Sequence, residues 1–254
     1  MPIAENTYRS HDYKFLIQRW RKICQSSGLR MQKICESDNY PCFEISSSVL
    51  QNHDVIYLSA GIHGDEPASS LGLLKWAESN LSQLSSFPFL IYPCLNPWGL
   101  ENNSRWDANR TDLNRIWKDP QNILIAYIIS RTNNLTFKLV LNLHEDFDGQ
   151  GVYLYEPSRG GKPSGVAANI LRASSSIIAC DPRTMIDGRK ARNGIIRPRL
   201  TNPPKDGFPE ALHFCVMHRC LTITLETPSE FDFLLRINAQ SAMIEKAVSI
   251  FLQG

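Results

Sequence analysis

With 254 residues, 43% of them hydrophobic and 20% charged, the chain has an ordinary globular composition and enough length for one sizeable domain. Its 27 basic and 25 acidic residues leave a net charge of +2 with no long basic block, which argues against nucleic acid or an anionic membrane surface as a partner. No stretch of ~20 apolar residues is present to span a bilayer, and the N-terminal "MPIAENTYRSHDYKFLIQRW" has no apolar core of secretory length.

In chain order, "YKFLIQRWRKICQSSG" carries apolar residues at helical spacing and stops at Gly28, which predicts a first helix. "RMQKICESDNYPCFEISSS" reads as two strands around an Asp-Asn turn. The continuous apolar run "DVIYLSAG" predicts a strand buried on both faces, and "EPASSLGLLKWAESNL" a helix with Pro67 near its start. "FLIYPCLN" is the next strand, followed by a long polar loop from Pro97 to Asp119 and a helix over "PQNILIAYIISRT". Then come a strand at "FKLVLNLHE", another at "GVYLYE", a helix over "GVAANILRASSSIIA" and a loop-rich segment from about 181 to 212. "CLTITLETP" is a strand, and "INAQSAMIEKAVSIFLQ" forms the closing helix. No repeat or Pro/Gly/Ser-rich linker divides the chain. Strands alternating with helices predict a single α/β domain over residues 1–254: a twisted, mixed but mostly parallel sheet with helices on both faces.

Seven cysteines, at 24, 35, 42, 94, 180, 215 and 220, form no CxxC pair. Apolar flanks such as "KICQ", "YPCL" and "HFCV" predict buried free thiols in a reducing compartment, hence a cytoplasmic protein, rather than a Cys-ligated structural zinc.

Three apolar runs end alike. "VIYLSAGIHGDE" delivers His63 and Glu66, "LVLNLHED" delivers His144 with Glu145 and Asp146, and "LTITLETP" delivers Glu226. In open α/β sheets, functional groups gather beyond the carboxyl ends of strands, so these three ends are expected to share one edge. Gly61 and Gly64 flank His63 and allow a sharp turn that aims imidazole and carboxylate at one centre. With His144 they make a His2Glu set, and three protein ligands with one open position is the arrangement of catalytic zinc. In the polar loop "NPWGLENNSRWDANRTDLNRIW", Asn114 and Arg115 can present a fork of donors to a carboxylate, and Asp112 can orient a ligand histidine or an arginine.

This order of HxxE, an "NP-x-G" loop with arginine and "DLNR", a strand-end histidine and a strand-end glutamate resembles the zinc metallocarboxypeptidase superfamily. The short "HGDE … DLNR" form is most similar to the branch of succinylglutamate desuccinylase, aspartoacylase and the murein-peptide amidases, over residues ~54 to 230. The resemblance implies one zinc ion per chain on His63, Glu66 and His144, a carboxylate clamp at Asn114 and Arg115, and Glu226 as catalytic glutamate. It implies Arg105 as the arginine that polarises the scissile carbonyl of the bound substrate, with Arg110 a rival for that role. Two features depart from the pattern. Glu145 and Asp146 bring acid towards the metal, and neither Tyr153 nor Tyr155 follows a motif that marks a substrate-capping tyrosine.

The expected activity is hydrolysis of an amide bond next to a free carboxylate. The substrate is a short peptide, for a carboxypeptidase or peptide amidase, or an N-acylated amino acid, for a deacylase. The "R-x6-DLNR" spacing favours the peptidase side. A catalytically silent zinc-binding protein is the reading from another class, and an intact Glu226 beside a full ligand set argues against it.

Overall fold

The computed structural model describes residues 8–118, 120–158, 163–200 and 207–252. The first seven residues of the N-terminal stretch, Asp119 at the end of the expected polar loop, positions 201–206 of the expected 181–212 loop segment, and Gln253 of the expected closing helix lie outside that set.

Helix α1 (Tyr13–Ser27) is closed at both ends by its own sequence. The Asp12 carboxylate accepts the Phe15 N–H at 2.7 Å, and Gly28 adopts φ 64° to end the helix. Strands β1 (Arg30–Ser37) and β2 (Tyr40–Ser46) pair around Asp38 and Asn39, both at positive φ (46° and 70°), the geometry of a two-residue hairpin turn. Strand β3 (Val55–Ala60) leads into α2 (Pro67–Ser79), α3 (Leu81–Ser86) and β4 (Phe89–Tyr92). Two short elements follow, α4 (Pro97–Asn102) and a 3-10 turn at Leu113–Arg115, before α5 (Ile123–Thr132) and β5 (Phe137–Asp146). The remainder comprises β6 (Tyr153–Tyr155), α6 (Ala167–Ser174), β7 (Met185–Ile186), β8 (Arg189–Arg192), β9 (Ile195–Ile196), α7 (Glu210–His213) with a π-helical turn at Phe214–His218, β10 (Thr222–Pro228) and α8 (Phe233–Leu252).

Among the described residues the strands form one sheet in the order β1-β2-β4-β3-β5-β10-β6-β9-β8-β7. Its centre, β4-β3-β5-β10, is parallel; β2 and β1 extend one edge antiparallel, and on the other β6 is antiparallel to β10, β9 parallel to β6, and β8 and β7 antiparallel in turn. Every residue of β3 and β10 is buried, as expected of parallel strands covered on both faces. Alternation sorts the core: Ile56, Leu58, Leu141 and Leu225 pack towards α1, α2, α6 and α8, whereas Val55, Tyr57 and Val140 pack towards α5, Trp117 and Phe214.

Two expected loops carry more structure. The polar loop opens with α4, because Asn96 caps it by accepting the Gly99 N–H at 2.9 Å and Pro97 supplies a first residue that needs no donor. The segment from 181 holds the β7–β8–β9 meander and α7. Its turns, Asp187-Gly188 (φ 49° and 67°) and Asn193-Gly194 (φ 50° and 67°), are two-residue hairpin connections between strands too short to show periodicity. Among the described residues no helix is long and apolar enough to cross a membrane.

Candidate active site

Strands β3, β5 and β10 run parallel, so their carboxyl ends deliver His63, His144 and Glu226 to one edge of the sheet. The two glycines around His63 act for different reasons. Gly61 takes φ 62°, which turns the chain out of β3. Gly64 is a point of close approach, since a Cβ there would lie 1.9 Å from the Gly99 carbonyl carbon of α4. Glu66 stands at the N-cap of α2, with Pro67 opening the helix behind it.

His63, Glu66 and His144 are buried, and each offers a ligand atom within 4.8 Å of the others. His63 Nδ1 lies 2.6 Å from Glu66 Oε1, and His144 Nδ1 lies 3.0 Å from Glu66 Oε2. The far nitrogen of His63, Nε2, faces Asp112 Oδ1 at 3.2 Å, so that nitrogen carries the hydrogen. In the neutral ring Nδ1 then points a lone pair at a carboxylate oxygen, a contact that only a proton or a cation between them makes favourable. Burial works to lower the His63 pKa, but the Glu66 charge and the hydrogen bond to Asp112 outweigh it and raise it to about 9. His144 goes the other way: burial holds it below its ordinary value despite the same carboxylate. The two rings share one anion, and a first proton on His63 opposes a second on His144. Burial would raise Glu66, yet the two histidines hold it well below the usual carboxylate range. Two imidazole nitrogens and a carboxylate aimed at one point, one ring braced by Asp112, are a donor set that fits a divalent metal ion.

Around this cluster, Arg105 donates to Asp112 Oδ2 through Nε (3.1 Å) and Nη2 (2.9 Å), and its Nη1 lies 3.3 Å from His63 Nδ1. Arg110 is exposed on a left-handed turn (φ 59°) and is not among the residues lining the cavity, so by position Arg105 rather than Arg110 faces the cluster. Asn114 Oδ1 accepts the Glu210 N–H at 2.9 Å, which fixes the amide, and the residue lines the cavity. Arg115 is anchored through Nη1 to the Asn114 carbonyl at 3.1 Å. Glu226 is buried, and among the described residues no hydrogen bond reaches its carboxylate. Burial, then the charges of Glu66 and Asp146, raise its pKa well above the ordinary value.

All of these except Asp112 and Arg110 line one cavity of about 590 Å³. Glu145 departs from the expectation of acid near the metal. Strand alternation sends its side chain to the opposite face, where it accepts the Ala68 N–H (2.7 Å) and pairs with Arg236 (2.7 Å); only its backbone N–H reaches Glu66, at 3.1 Å. Glu145 and Asp146 both border the cavity, beside Tyr153 and Tyr155, and the Tyr155 hydroxyl donates to Asp187 Oδ2 at 2.5 Å. Asp187 and Arg189, on the β7–β8 hairpin, are further wall residues that sequence reasoning passed over, although the "DG" and "NG" turn signals stood in plain view. Glu210 was also missed. It is buried, takes the Tyr57 hydroxyl at 2.6 Å, and is pushed up to about 7 by burial despite hydrogen bonds from Tyr57, Ser59 and Asn142.

Residues 52–156 match the succinylglutamate desuccinylase/aspartoacylase catalytic domain. Among curated proteins none matches the chain. Among solved structures, a protein provisionally named a metallopeptidase from Shewanella denitrificans OS217 gives a TM-score of 0.83 at 18% identity, over 95% of this chain and 91% of its own. A second protein of that provisional name, from Shewanella amazonensis SB2B, gives 0.83 at 19% identity, over 95% and 94%. A metallo-carboxypeptidase from Burkholderia cenocepacia gives 0.70 at 14% identity, over 94% of this chain and 69% of its own. At such identities the structural likeness speaks for the fold. Residues 52–156 thus resemble that catalytic domain, and the fold is similar to that of the metallopeptidase and metallo-carboxypeptidase structures.

Proposed function

We propose that the chain, acting as one catalytic domain over residues 1–254, is a zinc-dependent hydrolase that cleaves an amide bond beside a free carboxylate in a short peptide, as a metallocarboxypeptidase or peptide amidase. The observation that carries this reading is the convergence of His63, Glu66 and His144 within 4.8 Å, with Glu226, Asn114 and Arg115 in the same cavity. The volume, about 590 Å³, suits a ligand of dipeptide size.

His63, Glu66 and His144 would hold the zinc ion, which would supply Lewis acidity at the site. Asp112 braces His63 from behind and holds Arg105 in place at the same time. Glu226 takes a proton from the attacking water and hands it to the leaving nitrogen. Arg105 lends its charge to the developing oxyanion, where partial exclusion of water makes that charge count for more. Arg115 and the Asn114 NH2 hold the substrate carboxylate and so fix which amide is presented.

A second reading, a deacylase of N-acylated amino acids, is favoured by the match to the succinylglutamate desuccinylase/aspartoacylase catalytic domain. Both substrate classes carry the carboxylate that the clamp requires. Amine release by the zinc-loaded protein from C-terminal dipeptides, muropeptides and N-acyl amino acids separates them. Peptide cleavage supports the first reading, turnover of N-acyl amino acids alone establishes the second, and no turnover of any class overturns both.

A further inference from the structure

Pairing of β1 with β2 sets Cys35 directly opposite Cys42. Opposed residues of an antiparallel pair have Cα atoms about 4.5–5.5 Å apart, inside the ~4.4–6.8 Å span that a disulfide bridges. The register shifts between Lys33 and Cys35, a bulge that gives the backbone beside Cys35 room to adjust. Strand β1 is the outer strand of the sheet; Cys35 is half-buried on it, and Cys42 is buried behind it. A second cavity, of about 480 Å³, opens over Cys35 and is lined also by Asp38, Trp98, Asn109 and Asn122, which is space for a small molecule to approach the sulfur.

The two thiols differ in the way an attacking and a resolving cysteine differ. The Cys42 thiol, which donates to the Tyr40 carbonyl at 4.0 Å, is the neighbour that lowers the Cys35 pKa against the effect of burial; Glu36 adds to the rise and Lys33 to the fall. Cys42 itself is raised, first by the neighbouring Cys35 sulfur and then by burial. Burial pushes Cys24 and Cys94 up to about 12 and Cys220 up to about 11. Cys35 is therefore the thiol with the greater thiolate fraction, and the thiolate is the nucleophile.

We propose that Cys35 and Cys42 form a redox modification site, separate from the metal cluster, that takes a low-molecular-weight disulfide as oxidant and closes to a cross-strand disulfide. The Cys35 thiolate attacks one sulfur of the small disulfide, forming a mixed disulfide and releasing one small thiolate. Cys42 loses its proton and attacks the Cys35 sulfur, forming the Cys35–Cys42 bond and releasing the second small thiolate. Two protein thiols are oxidised by two electrons, one small disulfide is reduced to two thiols, and both protons leave with them.

The test treats the purified, reduced chain with cystamine, quenches with acid, alkylates under denaturing conditions and maps the peptides by mass. Expected is the joint loss of alkylation at positions 35 and 42, a cross-linked peptide pair lighter by two hydrogens, and recovery of both thiols with dithiothreitol. Cys42→Ser should trap a cystamine adduct on Cys35, and Cys35→Ser should leave Cys42 unmodified. Wild-type protein that keeps both thiols, or that retains an adduct on Cys35 without cross-linking, overturns the site. The wild-type map decides by itself where a serine variant fails to fold.

Discussion

Glu226 of β10 lies opposite His144 of β5 in parallel register, with Tyr153 of β6 on its other side. Opposed residues in adjacent strands project to the same face, so a proposed proton carrier and a proposed metal ligand stand side by side by virtue of pairing alone. Glu226→Gln keeps the shape but accepts no proton. Turnover should fall at least ~100-fold while metal content stays at the wild-type level. Full turnover in this variant would refute the role, and loss of metal would make Glu226 a ligand instead.

The proposed metal ligands are three side chains from two strand ends. His63→Ala and His144→Ala should each lose most bound zinc, measured by elemental analysis of protein dialysed against metal-free buffer. A variant that keeps a full complement removes that residue from the ligand set.

The clamp prediction separates charge from shape. Arg115→Lys keeps the positive charge and loses the planar fork, so kcat/KM should drop by roughly tenfold or more. Asn114→Asp keeps the oxygen that accepts the Glu210 N–H but swaps the NH2 donors for an acceptor that repels a carboxylate, and KM should rise. Substrates amidated at the terminal carboxylate should lose the same factor in the wild type; equal cleavage of amidated and free forms would exclude the assignment.

Glu210 predicts a pH dependence of stability. Burial raises its pKa to about 7, against an ordinary value of 4.5. A carboxyl raised in the folded state contributes stability that is complete below its unfolded value and is lost as pH rises through the folded one. The Glu210 carboxyl is buried, so a proton on it removes the cost of holding a charge away from water. Urea unfolding should show the wild type weakening relative to Glu210→Gln between about pH 5 and about pH 8, by a few kcal/mol. Parallel curves for the two proteins would show that Glu210 does not titrate in that window.

Gly64→Ala tests the close approach of α4. The added Cβ would meet backbone atoms of Gly99 and Leu100 at 1.9 and 2.2 Å, where no flexible side chain can yield. A loss of about 1–3 kcal/mol is expected, a fall in Tm of roughly 2–12 °C. An unchanged Tm would mean that α4 moves aside freely.

The strand ends were legible because the parallel strands are buried on both faces. An uninterrupted apolar run that stops at a histidine or glutamate can be read without coordinates, as at "VIYLSAGIHGDE" and "LTITLE". The side to which Glu145 points was not read, although its position beside His144 in a strand implied the opposite face. Choosing between Arg105 and Arg110 needs the path of the loop, which the left-handed turn at Arg110 and the tie from Arg105 to Asp112 determine. Glu210 left no local signal, because its burial comes from Tyr57, which lies 153 positions earlier in the chain. The short strands β7 and β9 hold two residues each, fewer than any periodicity can show.

The β7–β8–β9 meander divides labour within the sheet. The proposed chemistry sits on long parallel strands whose pairing spans distant parts of the chain, whereas Asp187 and Arg189 stand on a hairpin closed by a two-residue turn. A hairpin of that kind is held by contacts between near neighbours in sequence, so its residues can be exchanged while the parallel centre stays intact. This hairpin part of the cavity wall is thus open to change: substitutions there can retune which molecules enter while the proposed catalytic apparatus on the parallel strands is left unaltered.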